Sequence, residues 1–324
     1  MRRRELVIAL IGVASSPLAR SGPLERAPVV GFLRSTPAKP FANLVSAFRE
    51  GLREGGYQEG QNVEVLYRYA DNDKGRLSGL AAELVDRRVT VIVGNAAAVQ
   101  AVKATGSTIP MVFVLGDDPV KRGYVASLNQ PGGTMTGVTF FGGGSLDVKR
   151  LELLNEIIPP GRAVALLLDP NYPDGEAELP NVQSAARSLG RSVIVVKATP
   201  PELETVFDQV VKAEAGALLV SGSPSFTSYR DVLVGLAARH RVPASYDQRA
   251  YVEAGGLMSY GADFPGAYRE AGIYVARILS GASPAELPVG RPATFELVIN
   301  LKAANELGLS LPLTLLARAD EVIE

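Results

Sequence analysis

Val89-Thr90-Val91-Ile92-Val93-Gly94-Asn95-Ala96-Ala97-Ala98 joins a β-branched run to a string of small helix-forming residues. A short run that is apolar on both faces reads as a strand buried in a parallel sheet and covered on both sides. Asn95 stands where a helix N-cap belongs, ahead of Ala96–Ala104, so the stretch is one strand-to-helix unit. The unit recurs on either side. Upstream, Val29–Leu33 reads as a buried strand followed by an amphipathic helix, Phe41–Glu54, that stops at Gly55-Gly56. Val63–Tyr69 is strand-like and precedes a helical pattern over Leu77–Arg87. Downstream, Met111–Leu115 reads as a strand and Val120–Leu128 as a short helix. Met135–Phe140 follows the turn Pro131-Gly132-Gly133.

The order then starts again. Strands are expected at Ala163–Leu168, Ser192–Lys197, Ala217–Val220, Pro243–Tyr246 and Leu257–Tyr260. Helices are expected between them at Leu179–Leu189, Glu202–Ala213 and Tyr229–His240. Matching elements lie 133 to 135 residues apart (Val29 to Val164, Gly56 to Gly190, Ile109 to Val242), with few shared identities. Two tandem βα arrays imply an α/β fold of two Rossmann-like lobes, each with a parallel sheet and helices on both faces. A helix over Ala267–Leu279, a Pro-rich link from Ser283 to Pro292, a strand at Phe295–Asn300 and a helix at Leu301–Leu307 follow. The helix before the link has no strand partner in the second array. The chain is therefore expected to cross back to the first lobe and return, making a multi-crossing hinge with a cleft beside it. The expected division is 28–138 plus 263–290 for lobe 1 and 139–262 plus 291–324 for lobe 2.

Composition narrows the function. The 324 residues suit two domains. Lys+Arg 33 against Asp+Glu 34 gives a net charge of −1, without the basic excess of a nucleic-acid binder. Hydrophobic residues at 47% and charged residues at 21% are the profile of a folded chain. With Cys 0 and His 1, thiol catalysis, disulfides and Cys/His zinc sites are excluded, and no cofactor or metal is expected. Arg2, Arg3 and Arg4 precede a short apolar run, Leu6 to Ala14, and Arg3-Arg4-Glu5-Leu6-Val7 looks like a twin-arginine signal. Residues 1–27 are read as an export signal, so the protein is expected to be exported, soluble and periplasmic. The remainder carries 28 basic and 32 acidic side chains, net −4.

Five stretches together carry a resemblance: Pro131-Gly132-Gly133-x-x-Thr136-Gly137-Val138-Thr139, Lys149-Arg150-Leu151-Glu152-Leu153-Leu154 with Pro159, Ala237-Ala238-Arg239-His240-x-Val242-Pro243, Gly255-Gly256-Leu257-Met258-Ser259-Tyr260-Gly261, and Phe295-Glu296-Leu297-Val298-Ile299-Asn300-Leu301-Lys302. In this order, from about Val29 to Glu324, the chain resembles the ABC transporter substrate-binding proteins that include tryptophan/tyrosine-type carriers. The resemblance implies a type I periplasmic binding protein fold and a non-enzymatic role. A small solute would be captured in the cleft and delivered to an ABC permease and its ATPase. The protein is expected to act as a monomer.

Ligands of open parallel sheets bind beyond the carboxyl ends of the strands. That rule selects Ser35, Thr36, Asn95, Ala96, Ala97, Gly116 and Asp117 in the first lobe, with Thr139 near a crossing. In the second it selects Asn171, Tyr172, Ser223, Phe226, Tyr246 and Asp247. Asn95-Ala96-Ala97 offers a helix N-terminus to a ligand carboxylate, with Ser35 or Thr36 donating hydroxyls; simple capping is the alternative. Asp117 is read either as the partner of a ligand amine or as the cap of the helix after Pro119. Tyr172, Phe226 and Tyr246 would sandwich an apolar or planar ligand body. Gly142-Gly143-Gly144 lacks the residues of a phosphate loop and is read as a connection. His240 is read as a surface or cap residue. Lys149, Arg150, Glu152 and Glu156 are read as the solvated face of a helix. A ligand-sensing module and an α/β enzyme remain the competing functions.

Overall fold

Twelve strands form two sheets in a computed structural model that describes residues 27–140, 146–291 and 295–324. The residues up to Arg26, read above as an export signal, the connection from Phe141 through Gly144, and Pro292 lie outside the described residues. The first sheet contains β1 (Val29–Arg34), β2 (Glu64–Tyr69), β3 (Val91–Asn95), β4 (Met111–Leu115) and β5 (Met135–Thr139). Its order is β2-β1-β3-β4-β5 and every pairing is parallel. The second contains β6 (Val164–Leu168), β7 (Val193–Lys197), β8 (Ala217–Val220), β9 (Ala244–Tyr246), β10 (Met258–Ala262), β11 (Phe295–Asn300) and β12 (Glu321–Ile323). Its order is β12-β11-β10-β9-β8-β6-β7. The stretch β7-β6-β8-β9-β10 repeats the order of the first sheet, which is the tandem architecture expected from the repeated βα pattern.

Strand alternation explains why each sheet is covered twice. In the first lobe Phe32, Val93 and Val112 pack with Phe48 and Leu52 of helix Ala42–Glu54 and with Ala271 and Val275 of helix Phe264–Leu279. Their neighbours Leu33, Ile92 and Phe113 pack on the other face, against Leu84 of helix Lys74–Asp86 and Val99 of helix Ala96–Ala104. In the second lobe Leu167 and Val220 meet Phe207 and Leu233 on one face, and Leu166 and Leu219 meet Leu154 and Val182 on the other.

The chain passes between the sheets three times. It leaves the first sheet after Phe140, returns between Ala262 and Phe264, and leaves again after Arg291. Before the last passage Gly290 bridges Val138 beside β5. These crossings explain a departure from the expected purely parallel sheets. The last crossing delivers the chain to the cleft edge of the second sheet, so β11 must run away from it. It pairs antiparallel with β10, and β12 runs parallel to β11.

Two helix starts lie earlier than the apolar period suggests, because aspartates cap them. Asp73 accepts from the N–H groups of Gly75 at 2.8 Å and Arg76 at 3.1 Å, and Asp263 accepts from Gly266 at 2.9 Å. The helix expected over Val120–Leu128 is absent. The Asp118 carboxylate accepts from the N–H of Val120 at 2.9 Å, and Gly123 at φ 66° turns the chain out of the helical path.

Candidate functional site

The carboxyl ends of β1, β3, β4, β6, β8 and β9 face one cavity of about 590 Å³ between the lobes. In each lobe the order reverses direction between the first and third strands of the array, opening a crevice at their ends. Of the residues selected from the sequence, Asn95, Ala96, Gly116, Asp117, Tyr172, Ser223 and Asp247 line this cavity.

The first-lobe end of the cleft is built around Arg34, the last residue of β1, which is 3% exposed. Its Nε donates to Thr36 Oγ1 at 3.1 Å and its Nη1 donates to the Tyr268 hydroxyl. Its guanidinium lies over the Phe41 ring at 4.2 Å and the Tyr268 ring at 5.2 Å. Among the described residues it has no carboxylate partner. Burying a cation against neutral partners alone is costly, and an anionic ligand removes that cost. The neighbouring helix Ala96–Ala104 points the same way. Asn95 does not cap it: its Oδ1 accepts from the Ser35 N–H at 3.4 Å and its Nδ2 donates to Ser35 Oγ at 2.8 Å. The first amides of that helix therefore have no side-chain acceptor from Asn95, and they open where Ala96 meets the cavity.

Asp117 follows β4. One carboxylate oxygen accepts from Arg122 Nε, while Oδ1 is buried without a hydrogen-bond partner. The Thr139 hydroxyl donates to the Asp117 carbonyl at 2.7 Å, so Thr139 holds this loop from β5 without lining the cavity. The cap role goes to Asp118.

The second-lobe end is anionic. Asp247, 9% exposed, leaves Oδ1 unpartnered, and Oδ2 accepts from Gln248 Nε2 at 3.3 Å. Burial raises its pKa, opposed by the nearby Arg150 guanidinium. Arg150 itself is 2% exposed, donates to Asp147 and to the Tyr260 carbonyl at 3.5 Å, and leaves Nε without a partner. Burial lowers its pKa, opposed by Asp247. The expectation that Arg150 lies on a solvated helix face is thus overturned. Lys149 and Glu152 do lie there and pair at 3.1 Å, whereas Arg150 turns inward with Asp147 three residues earlier. Deeper in this lobe Asp169 accepts from the Ser223 hydroxyl at 2.7 Å, from Ser225, and from the Asn171 N–H at 2.8 Å.

Aromatic walls join the two ends. Phe140 and Phe264 flank separate crossings and pack with ring centroids 4.2 Å apart, their planes tilted by 37°. Tyr172 reaches over from the second lobe, its hydroxyl 3.5 Å from where a Cβ on Gly116 would stand. Burial raises the Tyr172 pKa, and Asp117 and Asp247 raise it further, so its phenol stays a neutral donor.

Several selected residues sit elsewhere. Phe226 (0% exposed) and Tyr246 (1%) belong to the core of the second lobe, where Tyr246 stacks on Tyr251 at 4.5 Å. The strand-end rule places a backbone, but strand alternation turns Tyr246 inward, and the one-turn helix Pro224–Ser228 folds Phe226 back onto the core. Ser35 and Thr36 stand one step behind the cavity as supports of Asn95 and Arg34. Ala97 packs against the first-lobe core and Asn171 is exposed; neither lines the cavity. His240 packs against Phe207 at 5.7 Å, away from the cleft.

Comparison with known proteins agrees with this architecture. A tyrosine-binding protein from Clostridioides difficile (strain R20291) is 24% identical over 255 residues, 78% of this chain and 73% of the relative. A conserved domain protein from Vibrio cholerae superposes with a TM-score of 0.83 at 25% identity, over 92% of this chain and 100% of that one. An ABC domain from Streptococcus pneumonia in complex with L-Trp gives 0.82 at 24% identity, over 91% and 99%. The two lobes form the type I periplasmic binding protein fold. The family model described as ABC transporter substrate binding protein matches residues 37–323, which include every residue named around the cleft except Arg34, Ser35 and Thr36: the chain belongs to that family.

Proposed function

We propose that this solute-binding protein captures an amino acid or related aromatic carboxylate between its lobes and hands it unchanged to an ABC permease and its ATPase. The observation that carries the ligand class is Arg34, a buried guanidinium without a carboxylate partner among the described residues, at the end of a cleft walled by Phe140, Phe264 and Tyr172. A cavity of about 590 Å³ is of the size that encloses one small molecule. The tyrosine and tryptophan in the descriptions of related proteins make those two amino acids the first to test. The chain has no cysteine, and its single histidine, His240, lies outside the cleft, which favours holding a ligand over transforming it. The reading places the mature protein in the periplasm as a monomer, exported by residues 1–27. No described helix is long and apolar enough to cross a membrane.

Ligand that touches both lobes binds the closed arrangement better and shifts the population toward it. Titration with L-tyrosine and L-tryptophan, followed by calorimetry and small-angle scattering, tests this. The expected result is saturable binding with a smaller radius of gyration. An unchanged scattering profile at saturation would remove the closure mechanism. Mass spectrometry of the recovered ligand is expected to return it unaltered.

The lobes also touch directly. Arg230 Nη1, in helix Arg230–Arg239, donates to the Pro40 carbonyl of the first lobe at 3.0 Å. Arg230→Ala removes a bond present only when the lobes meet. Affinity for the captured amino acid is expected to fall about threefold to tenfold, with little change in the melting temperature of the unliganded protein. Calorimetry and thermal denaturation check the two halves.

A further inference from the structure

The lobes approach one another at a second place, on loops other than those joined by Arg230 and Pro40. Tyr172 stands in the loop after β6 of the second lobe, and Gly116-Asp117 in the loop after β4 of the first. The Tyr172 hydroxyl is 3.5 Å from where a Cβ on Gly116 would stand, so the phenol lies against the residue that precedes Asp117. Tyr172 and Asp117 both line the cavity. Their chemistry is complementary. Asp117 gives one carboxylate oxygen to Arg122, and its Oδ1 is buried without a hydrogen bond. Burial, and then the Asp117 and Asp247 charges, keep the Tyr172 phenol protonated, yet it makes no hydrogen bond among the described residues. A buried carboxylate oxygen without a donor is costly, and a phenol–carboxylate hydrogen bond is of the strong, charge-assisted kind. The acceptor is held in place: Arg122 binds its other oxygen, and the Thr139 hydroxyl donates to the Asp117 carbonyl at 2.7 Å. It is thus fixed on the first lobe, beside the crossing that follows Phe140, while the donor rides on the second.

We propose that Tyr172 is a latch: closure of the cleft brings its hydroxyl onto Asp117 Oδ1, and this bond between the lobes lengthens the life of the closed state. The latch rests on capture by closure, argued above, and adds the residue pair that sets how long the lobes stay shut. The bond joins protein to protein, so it acts whichever solute the cleft holds. It forms after the lobes have met, so it slows opening and release and leaves the rate of closing unchanged.

The chain has no cysteine, so a dye pair on Lys74→Cys of the first lobe and Lys212→Cys of the second, both exposed, reports lobe separation in single molecules by energy transfer. Closed-state dwell times are measured without ligand and with saturating L-tryptophan or L-tyrosine. The proteins compared are the dye-labelled parent, Tyr172→Phe, Asp117→Ala and the double variant. Tyr172→Phe keeps the ring and is expected to shorten the closed dwells about threefold to tenfold, with the closing rate unchanged. In the Asp117→Ala background the same substitution is expected to change them by less than about twofold, since the acceptor is gone. A hydroxyl that serves the ligand instead would leave the unliganded dwells unchanged and keep its effect in the Asp117→Ala background. Either result overturns the latch and leaves closure standing. If neither amino acid binds, the proposed ligand class falls, and the unliganded dwells of the four proteins still decide the latch. A single lobe separation in every protein, with and without ligand, would remove closure and latch together.

Discussion

Arg34→Met is expected to weaken binding of an aromatic amino acid about 100-fold, close to 3 kcal/mol, without lowering the melting temperature of the unliganded protein. The two halves follow from one fact. Arg34 is 3% exposed and has no carboxylate partner among the described residues. A ligand carboxylate would meet a dry guanidinium, where a charge-assisted hydrogen bond is worth more than in water. In the unliganded protein the same cation is held by one threonine hydroxyl, one tyrosine hydroxyl and two rings. Its removal therefore takes away a buried charge rather than an ion pair, and Met fills the gap between Phe41 and Tyr268 with favourable sulfur–ring contacts. Arg34→Lys is expected to lie between the two, keeping the charge but losing the planar fork. Calorimetric affinity within threefold of the wild type for Arg34→Met would sink the carboxylate assignment.

Why Arg34 escapes a sequence reading is itself physical. The apolar run that defines β1 ends at Leu33, so the strand is cut one residue short and the loop is taken to begin at Ser35. Strand pairing carries β1 on to Arg34, opposite Tyr69. The strands and their order are legible because each βα unit is local: a β-branched run, a break, then an apolar period of helical spacing. Charge direction is less local. Lys149, Arg150 and Glu152 look alike along the chain, and packing of helix Leu146–Asn155 against the second sheet decides that Arg150 turns inward. The spacing Asp147 to Arg150 is the one sequence signal that could have marked it. Two of the three selected aromatics lie away from the cleft for a related reason. Tyr172, Phe226 and Tyr246 share a topological position, but only Tyr172 faces the cleft, because the position does not state which way a side chain points.

A second large effect is expected where intrinsic propensity gives the opposite sign. Gly51 lies inside helix Ala42–Glu54, where Gly→Ala ordinarily stabilises by about 1 kcal/mol. Here helix Phe264–Leu279 crosses with the backbones in contact. A Cβ on Gly51 would stand 1.8 Å from the Arg269 carbonyl oxygen, and one on Gly272 would stand 2.2 Å from the Phe48 carbonyl oxygen. Neither neighbour is a side-chain end that can swing away, so the helices must separate. The buried faces of Phe48, Leu52, Ala271 and Val275 separate with them. Gly51→Ala is expected to destabilise by about 3 kcal/mol, beyond ordinary overpacking, and to lower the melting temperature by roughly 10 °C. Affinity should fall as well, since the displaced helix carries Phe264 and Tyr268 into the cleft. Gly79→Ala supplies the contrast: that glycine lies in helix Lys74–Asp86, with nothing within 4 Å of an added Cβ. There propensity acts alone, and stability is expected to rise by about 0.5 to 1 kcal/mol. Thermal denaturation of the two variants side by side separates the effects. If Gly51→Ala melts at or above the wild-type temperature, the close crossing does not govern the packing of the first lobe.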